Sequence, residues 1–257
     1  MKRSLCIFLI SVFISLSVKP QGISGAEFRC LGPFTLATQS IGFVSSFYTA
    51  DENANTILAG SLNGGLWLGK KSTADTTIVS WNWKNITDVC KLPGIGITAI
   101  EVRPNTNYQT IYIGTQLGGN GRSFGYSQGI LKTTDGGASW KQVGPAIKIT
   151  DKKTVDFFKM NPEFPDVMIA SIGKQLFYTK DDWKNFEVIE SPFKNKDQFV
   201  QIGDVEWKPG DSKTFYISTR SEAGIKSELF VSRDNGKTFE DIKHGISASN
   251  IMIDVSR

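Results

Sequence analysis

Three features of this sequence predict an all-β fold made of four-stranded antiparallel blades. The first is a short β-rich run that recurs as "ITAIEVRP" from Ile97, "VDFFKMNP" from Val155, "IGDVEWKP" from Ile202 and "NIMIDVSR" from Asn250. Aligning Val102, Met160, Trp207 and Val255 gives spacings of 58, 47 and 48 residues, the period of one supersecondary unit per repeat. The second is that the first three runs each lead into the same three further segments. These are "TIYIGT", "VMIASI" and "TFYIST"; then "GILKTTDGGASW", "QLFYTKDDWKNF" and "ELFVSRDNGKTF"; then "KQV", "EVI" and "EDI". The third is the absence of a confident helical period beyond the first twenty residues or so, with Pro, Gly, Asn and Asp punctuating every short apolar run.

Taken in chain order, residues 1–26 read as a secretory signal peptide. Met1-Lys2-Arg3 is basic, Leu5 to Val18 is apolar, and Ser24, Gly25 and Ala26 are small. The apolar run is shorter than the roughly twenty residues that span a bilayer, so an uncleaved anchor is the alternative. Residues 27–257 are then one repeat domain. A diverged first unit spans 41–87, with "TILAGS" from Thr56, "GGLWLG" from Gly64 and "WNWKNIT" from Trp81. Further units cover 97–145, 154–190 and 202–243, and 250–257 begins another. Both alternate sets of side chains in these strands include large apolar residues, so a lone sheet leaves one of its faces unburied. Sheets arranged around an axis cover one another, which is the logic of a β-propeller; a two-sheet sandwich is the alternative. The expectation is about four complete blades plus the first strand of a fifth, an open or truncated propeller. Further C-terminal blades or another chain would complete it, and "EFRCLGPF" is placed to supply an outermost strand.

Charge and cysteine content exclude several function classes. The whole chain carries 29 basic and 25 acidic residues, a formal +4. Cleavage after Ala26 would remove Lys2, Arg3 and Lys19 and no acid, leaving +1. Nucleic acid is therefore not an expected partner, because phosphate binding needs a concentrated basic face. Cys30 and Cys90 would remain in an exported chain and permit one disulfide; two separate thiols are the alternative. With one histidine, His244, and no Cys-x-x-Cys, no metal or other cofactor is expected.

The hairpin between third and fourth segments carries a motif. It reads Thr133-x-Asp135-x-Gly137-x-Ser139-Trp140, recurs as Ser232-x-Asp234-x-Gly236-x-Thr238-Phe239, and decays to a copy with Asp181 and Phe186 in which Trp183 stands where the others have glycine. A short carboxylate before a turn accepts hydrogen bonds from the turn's N–H groups. Glycine admits positive φ, and the returning aromatic covers the blade. The motif resembles the Asp-box, or BNR repeat, of sialidase-like and sortilin-like propellers. With "TILAGSLNGGLW", "LPGIGITAIEVRPN" and "TIYIGTQLGGNGRSFGYSQGILKTTDGGASW", the chain looks like the opening blades of exported bacterial sortilin N-terminal-like and Vps10-type proteins. The resemblance implies that the Asp-box is structural, at the blade periphery and away from any central site.

Catalytic signals are weak by comparison. Glycoside hydrolysis needs two carboxylates across a cleft, and Glu101, Asp156, Asp204, Glu206 and Asp254 lie on innermost strands. Glu101, Glu206 and Asp254 share one repeat position, where another copy has Lys159. Arg103, Arg122, Arg220 and Arg233 are too scattered to hold a sialoside carboxylate. No catalytic residue is therefore assigned. The loop from Gln116 to Gly129, with Asn120, Arg122, Phe124 and Tyr126, is the best binding candidate, since loops on rigid scaffolds carry function. The expected function is an exported, secreted, cell-surface or periplasmic scaffold that binds a protein or glycan. Its rival is a fragment of a carbohydrate-active hydrolase of sialidase-like or xyloglucanase-like type.

Overall fold

The structure is a computed structural model. It describes residues 34–36, 39–41, 44–49, 55–72, 80–88, 95–116, 127–173, 175–190, 201–220, 226–243 and 245–256. Chain contacts separate Met1–Gly32 from Pro33–Arg257, and all described residues belong to the second unit. Residues 1–26, read as a signal peptide, together with Cys30, Cys90, His244 and the loop residues Asn120, Arg122, Phe124 and Tyr126, lie outside the described residues. No described helix is long and apolar enough to cross a membrane.

A short hairpin pairs β1 (Phe34–Leu36) with β2 (Gln39–Ile41); the segment "EFRCLGPF", expected to supply an outermost strand, lies outside the described residues but for its last one. Four sheets follow, each of four strands in sequence order and antiparallel throughout. Blade I is β3 (Val44–Tyr48), β4 (Thr56–Ser61), β5 (Gly65–Lys71) and β6 (Trp81–Asn85). Blade II is β7 (Gly96–Val102), β8 (Ile111–Gln116), β9 (Ile130–Thr133) and β10 (Lys141–Val143). Blade III is β11 (Val155–Met160), β12 (Met168–Ile172), β13 (Gln175–Thr179) and β14 (Glu187–Ile189). Blade IV is β15 (Gln201–Trp207), β16 (Phe215–Arg220), β17 (Leu229–Ser232) and β18 (Glu240–Asp241).

The cores lie between sheets, as a propeller requires. Leu58, Leu66 and Ile86 of blade I pack with Ile97, Ile100, Ile111 and Ile113 of blade II. On the other face of blade II, Tyr112 and Ile130 join Phe158, Met168 and Trp183 of blade III. Ile169, Leu176 and Ile189 of blade III meet Val205, Trp207, Phe215 and Phe230 of blade IV. Period-2 alternation explains this division: in β8, Ile111 and Ile113 point to one neighbour and Tyr112 to the other. Burying a Leu- or Ile-sized side chain contributes about 1.5–3 kcal/mol, so each junction is a substantial part of the stability.

Two features bring the sheets close at their inner edges. Small residues occupy one position of every second strand: Gly60, Gly114, Ser171 and Ser218. A Cβ on Gly60 would lie 2.7 Å from Ile97 Cγ2, and one on Gly114 would lie 2.8 Å from Val155 Cγ1, so the next blade's first strand rests directly on these backbones. Every innermost strand also carries a register shift at the same place, leaving Ser45, Thr98, Asp156 and Gly203 without a cross-strand mate. Such bulges increase local twist, and their four-fold recurrence makes them part of the repeat.

The expected start of a fifth blade is found in a modified form. Asn250 forms an isolated antiparallel bridge with Arg220, and Ile251–Ser256 is not in a ladder. The segment is held by side chains instead, with Ser218 Oγ donating to Ile251 O at 2.5 Å and Ile253 N donating to Asp204 Oδ2 at 2.9 Å.

Candidate functional site

The antiparallel order of each blade sends its loops to two ends. The hairpins with Asp135, Asp181 and Asp234 lie at one end, together with the turns from first to second strand. The other end holds the loops from second to third strand and the crossings between blades.

At the hairpin end, the three aspartates make the same bonds. Asp135 Oδ1 accepts from Ser139 N at 2.9 Å and Thr133 Oγ1 at 2.6 Å, and its Oδ2 accepts from Ser139 Oγ at 2.5 Å. Asp234 Oδ1 accepts from Thr238 N (2.9 Å) and Ser232 Oγ (2.9 Å), and Oδ2 from Thr238 Oγ1 (2.6 Å). Asp181 Oδ1 accepts from Asn185 N (2.8 Å) and Thr179 Oγ1 (3.0 Å), and Oδ2 from Asn185 Nδ2 (2.7 Å). The copy that lacks glycine has kept its hydrogen bonds. The leading hydroxyl, given no separate role by the sequence reading, accepts the amide of Gly137, Trp183 or Gly236 at 3.0, 3.1 and 2.8 Å. These bonds to the ionised form hold the Asp135 carboxyl down at about 2, with the Ser139 hydroxyl first among the causes, and lower Asp181 and Asp234 as well.

A folded-state pKa below the ordinary carboxylate value means stability that is present above about pH 4 and lost as pH falls toward 2. Asp135→Ala is accordingly expected to lower the thermal midpoint at pH 7 and to have little effect at pH 2. Equal loss at both pH values in melting curves would contradict the hydrogen-bonding role.

The hairpins also reach the preceding blade, where Trp140 Nε1 donates to Ile86 O at 3.0 Å. Within its own blade, Phe239 packs edge-on against Phe215 at 6.0 Å. Phe186 meets Phe177 at 5.8 Å but stays 42% exposed, so its cover of the blade is partial. A Cβ on Gly137 would lie 2.8 Å from Ile86 Cβ, and one on Gly236 would lie 2.6 Å from Ile189 Cδ1. In the third hairpin the sizes are exchanged. Trp183 takes φ 62°, is 5% exposed, and faces Gly144, whose added Cβ would lie 2.9 Å from the indole.

In two of the hairpins the residue after the aspartate forms a second link between blades. Asp182 accepts from Tyr112 Oη, pairs with Lys132 Nζ at 2.5 Å and lies 3.4 Å from Arg103, which also holds Asp166 at 2.6 Å. In the next junction Tyr178 Oη donates to Asn235 Oδ1 at 3.2 Å. Lys132 and Tyr178 occupy equivalent positions of their third strands, as do Asp182 and Asn235 of their hairpins. Burial, reinforced by Asp182, raises the Tyr112 phenol.

Near the inner edge, the position that holds Glu101 and Glu206 forms a row across the blades. Register places Tyr48, Glu101, Lys159 and Glu206 opposite Leu58, Tyr112, Ile169 and Tyr216. Lys159 Nζ bonds Glu206 at 2.5 Å. Burial raises the Glu101 carboxyl to about 8, against the pull of Lys159 and a hydrogen bond from the Met160 amide. Burial also raises Glu206, opposed by Lys159 and reinforced by Asp204 and Asp254. Burial works against the Lys159 ammonium, but the surrounding carboxylates leave its pKa raised. Tyr48 is pushed up to about 12 by burial and then by Glu101. Asp156 is separate, bonded by the Thr154 hydroxyl. Among the described residues, no three His, Cys, Asp or Glu side chains converge as metal ligands.

At the opposite end, the neck of the 116–129 loop is pinned. Thr115 Oγ1 donates to Gly129 O at 2.7 Å and accepts from Gln128 N at 3.0 Å, while Ser127 Oγ accepts from Gly129 N at 2.8 Å. Thr219 Oγ1, at the equivalent position, accepts from Glu228 N at 2.7 Å. Of the tryptophans, Trp183 and Trp207 are buried, Trp67, Trp81 and Trp140 are half-buried, and Trp83 is exposed. The Asn85-Ile86-Thr87 sequon is engaged internally: Asn85 Nδ2 donates to Gly64 O at 3.0 Å, and Oδ1 accepts from Thr87 N at 2.9 Å.

Four meander sheets with their cores between them define a β-propeller. The family model of sortilin, neurotensin receptor 3, matches residues 128–254. Among solved structures, an ancestral GH74 enzyme aligns with a TM-score of 0.59 at 15% identity, over 80% of this chain and 26% of that one. The GH74 xyloglucanase from Xanthomonas campestris aligns with a TM-score of 0.54 at 17% identity, over 74% of this chain and 28% of that one. The chain thus spans about a quarter of the length of these structures, and the likeness at such identities is one of fold. No curated protein matches the chain.

Proposed function

We propose that this chain is an Asp-box propeller portion, exported by its N-terminal segment, that binds a protein or glycan ligand at its loop end and is completed by further blades. The observation that carries the reading is the division between its two ends. At one end the carboxylates of Asp135, Asp181 and Asp234 are fully engaged in turns. At the other, the 116–129 and 219–228 loops spring from pinned necks. A rigid base with loops held at their roots suits recognition, and Asn120, Arg122, Phe124 and Tyr126 are the proposed contact residues. Exposed apolar side chains on the first strand of blade I, Phe47 at 74% and Val44 at 59%, support a larger assembly. Cys30 and Cys90 are proposed to pair in an oxidising compartment.

Glu101 and Glu206 favour a second reading, a fragment of a carbohydrate-active hydrolase, because a carboxyl raised to about 8 suits a general acid. Their place in a recurring row, with Lys159 bonded to Glu206, favours packing over catalysis. A panel of xyloglucan, β-glucan and sialoside substrates tests the choice. The binding reading expects no turnover and retained glycan or protein capture; turnover lost in Glu101→Gln, with the fold intact, would replace it with the hydrolase.

A further inference from the structure

The rim of blade I departs from the pattern that the other three rims share. Cross-strand from Ile111, Met168 and Phe215 stand the hairpin hydroxyls Thr133, Thr179 and Ser232, each two residues before its aspartate. Cross-strand from Ile57, at the same place in blade I, stands Gly69, two residues before Lys71. With neither hydroxyl nor carboxylate to close a turn there, the ladder continues, pairing Gly69 with Trp83 and Lys71 with Trp81. Trp83 holds the place of the returning aromatics Trp140, Phe186 and Phe239, and Trp81 lies two residues farther out, where the other hairpins turn. Leu68 packs into the core between blades I and II, so strand alternation turns Gly69, Lys71, Trp81 and Trp83 to the opposite face. A Cβ on Gly69 would lie 2.6 to 2.8 Å from three atoms of the Trp83 six-membered ring, so the glycine lets this indole lie flat on the backbone. The two indoles have centroids 6.1 Å apart and planes 32° from parallel. Trp83 is 40% exposed; its counterpart Phe186 is 42% exposed although blade II packs before it, so an open ring belongs to this rim position even where a blade precedes.

We propose that Trp81 and Trp83 form a stacking platform for a β-linked chain of gluco-configured pyranose rings, a binding site on the rim of blade I and separate from the loop end. Such rings carry their hydroxyls equatorially and leave both faces as C–H surface, which the negative face of an indole attracts. Two nearly parallel indoles present adjoining faces that a straight glycan chain can cover ring by ring. A sugar also needs hydrogen-bonding groups placed at its edge, and Lys71, exposed and opposite Trp81, supplies one. The strand β6 reads Trp-Asn-Trp-Lys-Asn, with no aliphatic side chain, so its apolar surface is confined to the two rings. That suits a sugar better than the extended apolar centre of a protein interface. It suits nucleic acid less, because Lys71 is the one cation that β5 and β6 place on this face, Lys70 and Lys84 turning to the other.

The test is a titration of the whole protein, its tryptophans labelled with nitrogen-15, by cellohexaose, followed at the indole N–H signals. Those of Trp81 and Trp83 are expected to shift saturably while those of the buried Trp183 and Trp207 stay in place, a readout that needs no variant. Trp83→Ala is expected to weaken binding about tenfold by calorimetry. Gly69→Thr installs the residue that blades II and III carry there; it keeps both indoles but lifts Trp83 off the backbone, and is expected to weaken binding to a similar extent. Circular dichroism checks that each variant folds. Trp81 and Trp83 signals that do not move would overturn the platform. So would cellohexaose binding that neither variant changes, which would leave the loop-end reading standing. Preferential capture of a thymidine oligonucleotide, or burial of both indoles between copies of the chain as its concentration rises, would overturn the proposal as well.

Discussion

Replacing Trp183 by glycine, the residue that both intact hairpins hold at this position, is expected to destabilise the protein by about 2–4 kcal/mol. Trp183 lies in the core between blades II and III, beside Phe158 at 6.1 Å and against Gly144. Its left-handed backbone costs a non-glycine residue about 1–2 kcal/mol, which Trp183→Gly would recover. Loss of a buried indole costs about 3–5 kcal/mol when nothing fills the space, so the cavity outweighs the relief. The converse change, Gly137→Ala, is expected to destabilise as well, because its Cβ would meet Ile86 at 2.8 Å and its φ is 93°. Chemical denaturation of the two variants checks both signs. A Trp183→Gly protein as stable as the parent would show that the exchanged sizes at this junction are not packed as described.

The second large effect concerns pH. Glu101 has a folded-state pKa near 8, raised mainly by burial, against an ordinary 4.5. Between these values the folded protein holds a proton that the unfolded chain releases, so this group's contribution to stability falls as pH rises from about 4.5 to 8. The groups facing it set the size of the effect: Tyr48 from blade I, Lys159 from blade III and Glu206 beyond it. Glu101→Gln removes the titration. It is expected to stabilise by roughly 2 kcal/mol at pH 8.5, to change little at pH 4.5, and to flatten the slope between. A variant whose stability follows the parent's pH dependence throughout would show that Glu101 is paired or solvated as a carboxylate.

Much of this architecture is legible in the sequence because its signals are local. The strand quartets show as period-2 apolar runs, and the hairpins show because aspartate, glycine and the returning aromatic must stand at fixed offsets to close one turn. Even the decayed hairpin is recognisable, since Asp181 and Asn185 preserve the bond that the spacing serves. What crosses from blade to blade was hidden. Asp182 reads as a turn residue, yet it gathers Tyr112, Lys132 and Arg103 from 50 to 79 residues away. Tyr48 belongs to the same row as Glu101 and Glu206, but the diverged first unit lacks the acid that would have aligned it. The bulges at Ser45, Thr98, Asp156 and Gly203 share no residue type, because a bulge is fixed by pairing geometry and not by one side chain. The loop residues chosen for binding lie outside the described residues.

Each hairpin turn lies against the preceding blade, and a cysteine pair measures that contact. Ile86→Cys with Gly137→Cys, in a protein whose Cys30 and Cys90 are serine, places two Cβ positions 2.8 Å apart, within a small adjustment of the roughly 3.5–4.5 Å of a disulfide. Rapid and nearly complete bridging under mild oxidation, read by mass spectrometry after tryptic digestion, is the predicted result. Two free thiols in a protein that keeps its β-sheet circular dichroism would mean that blades I and II do not pack in this way.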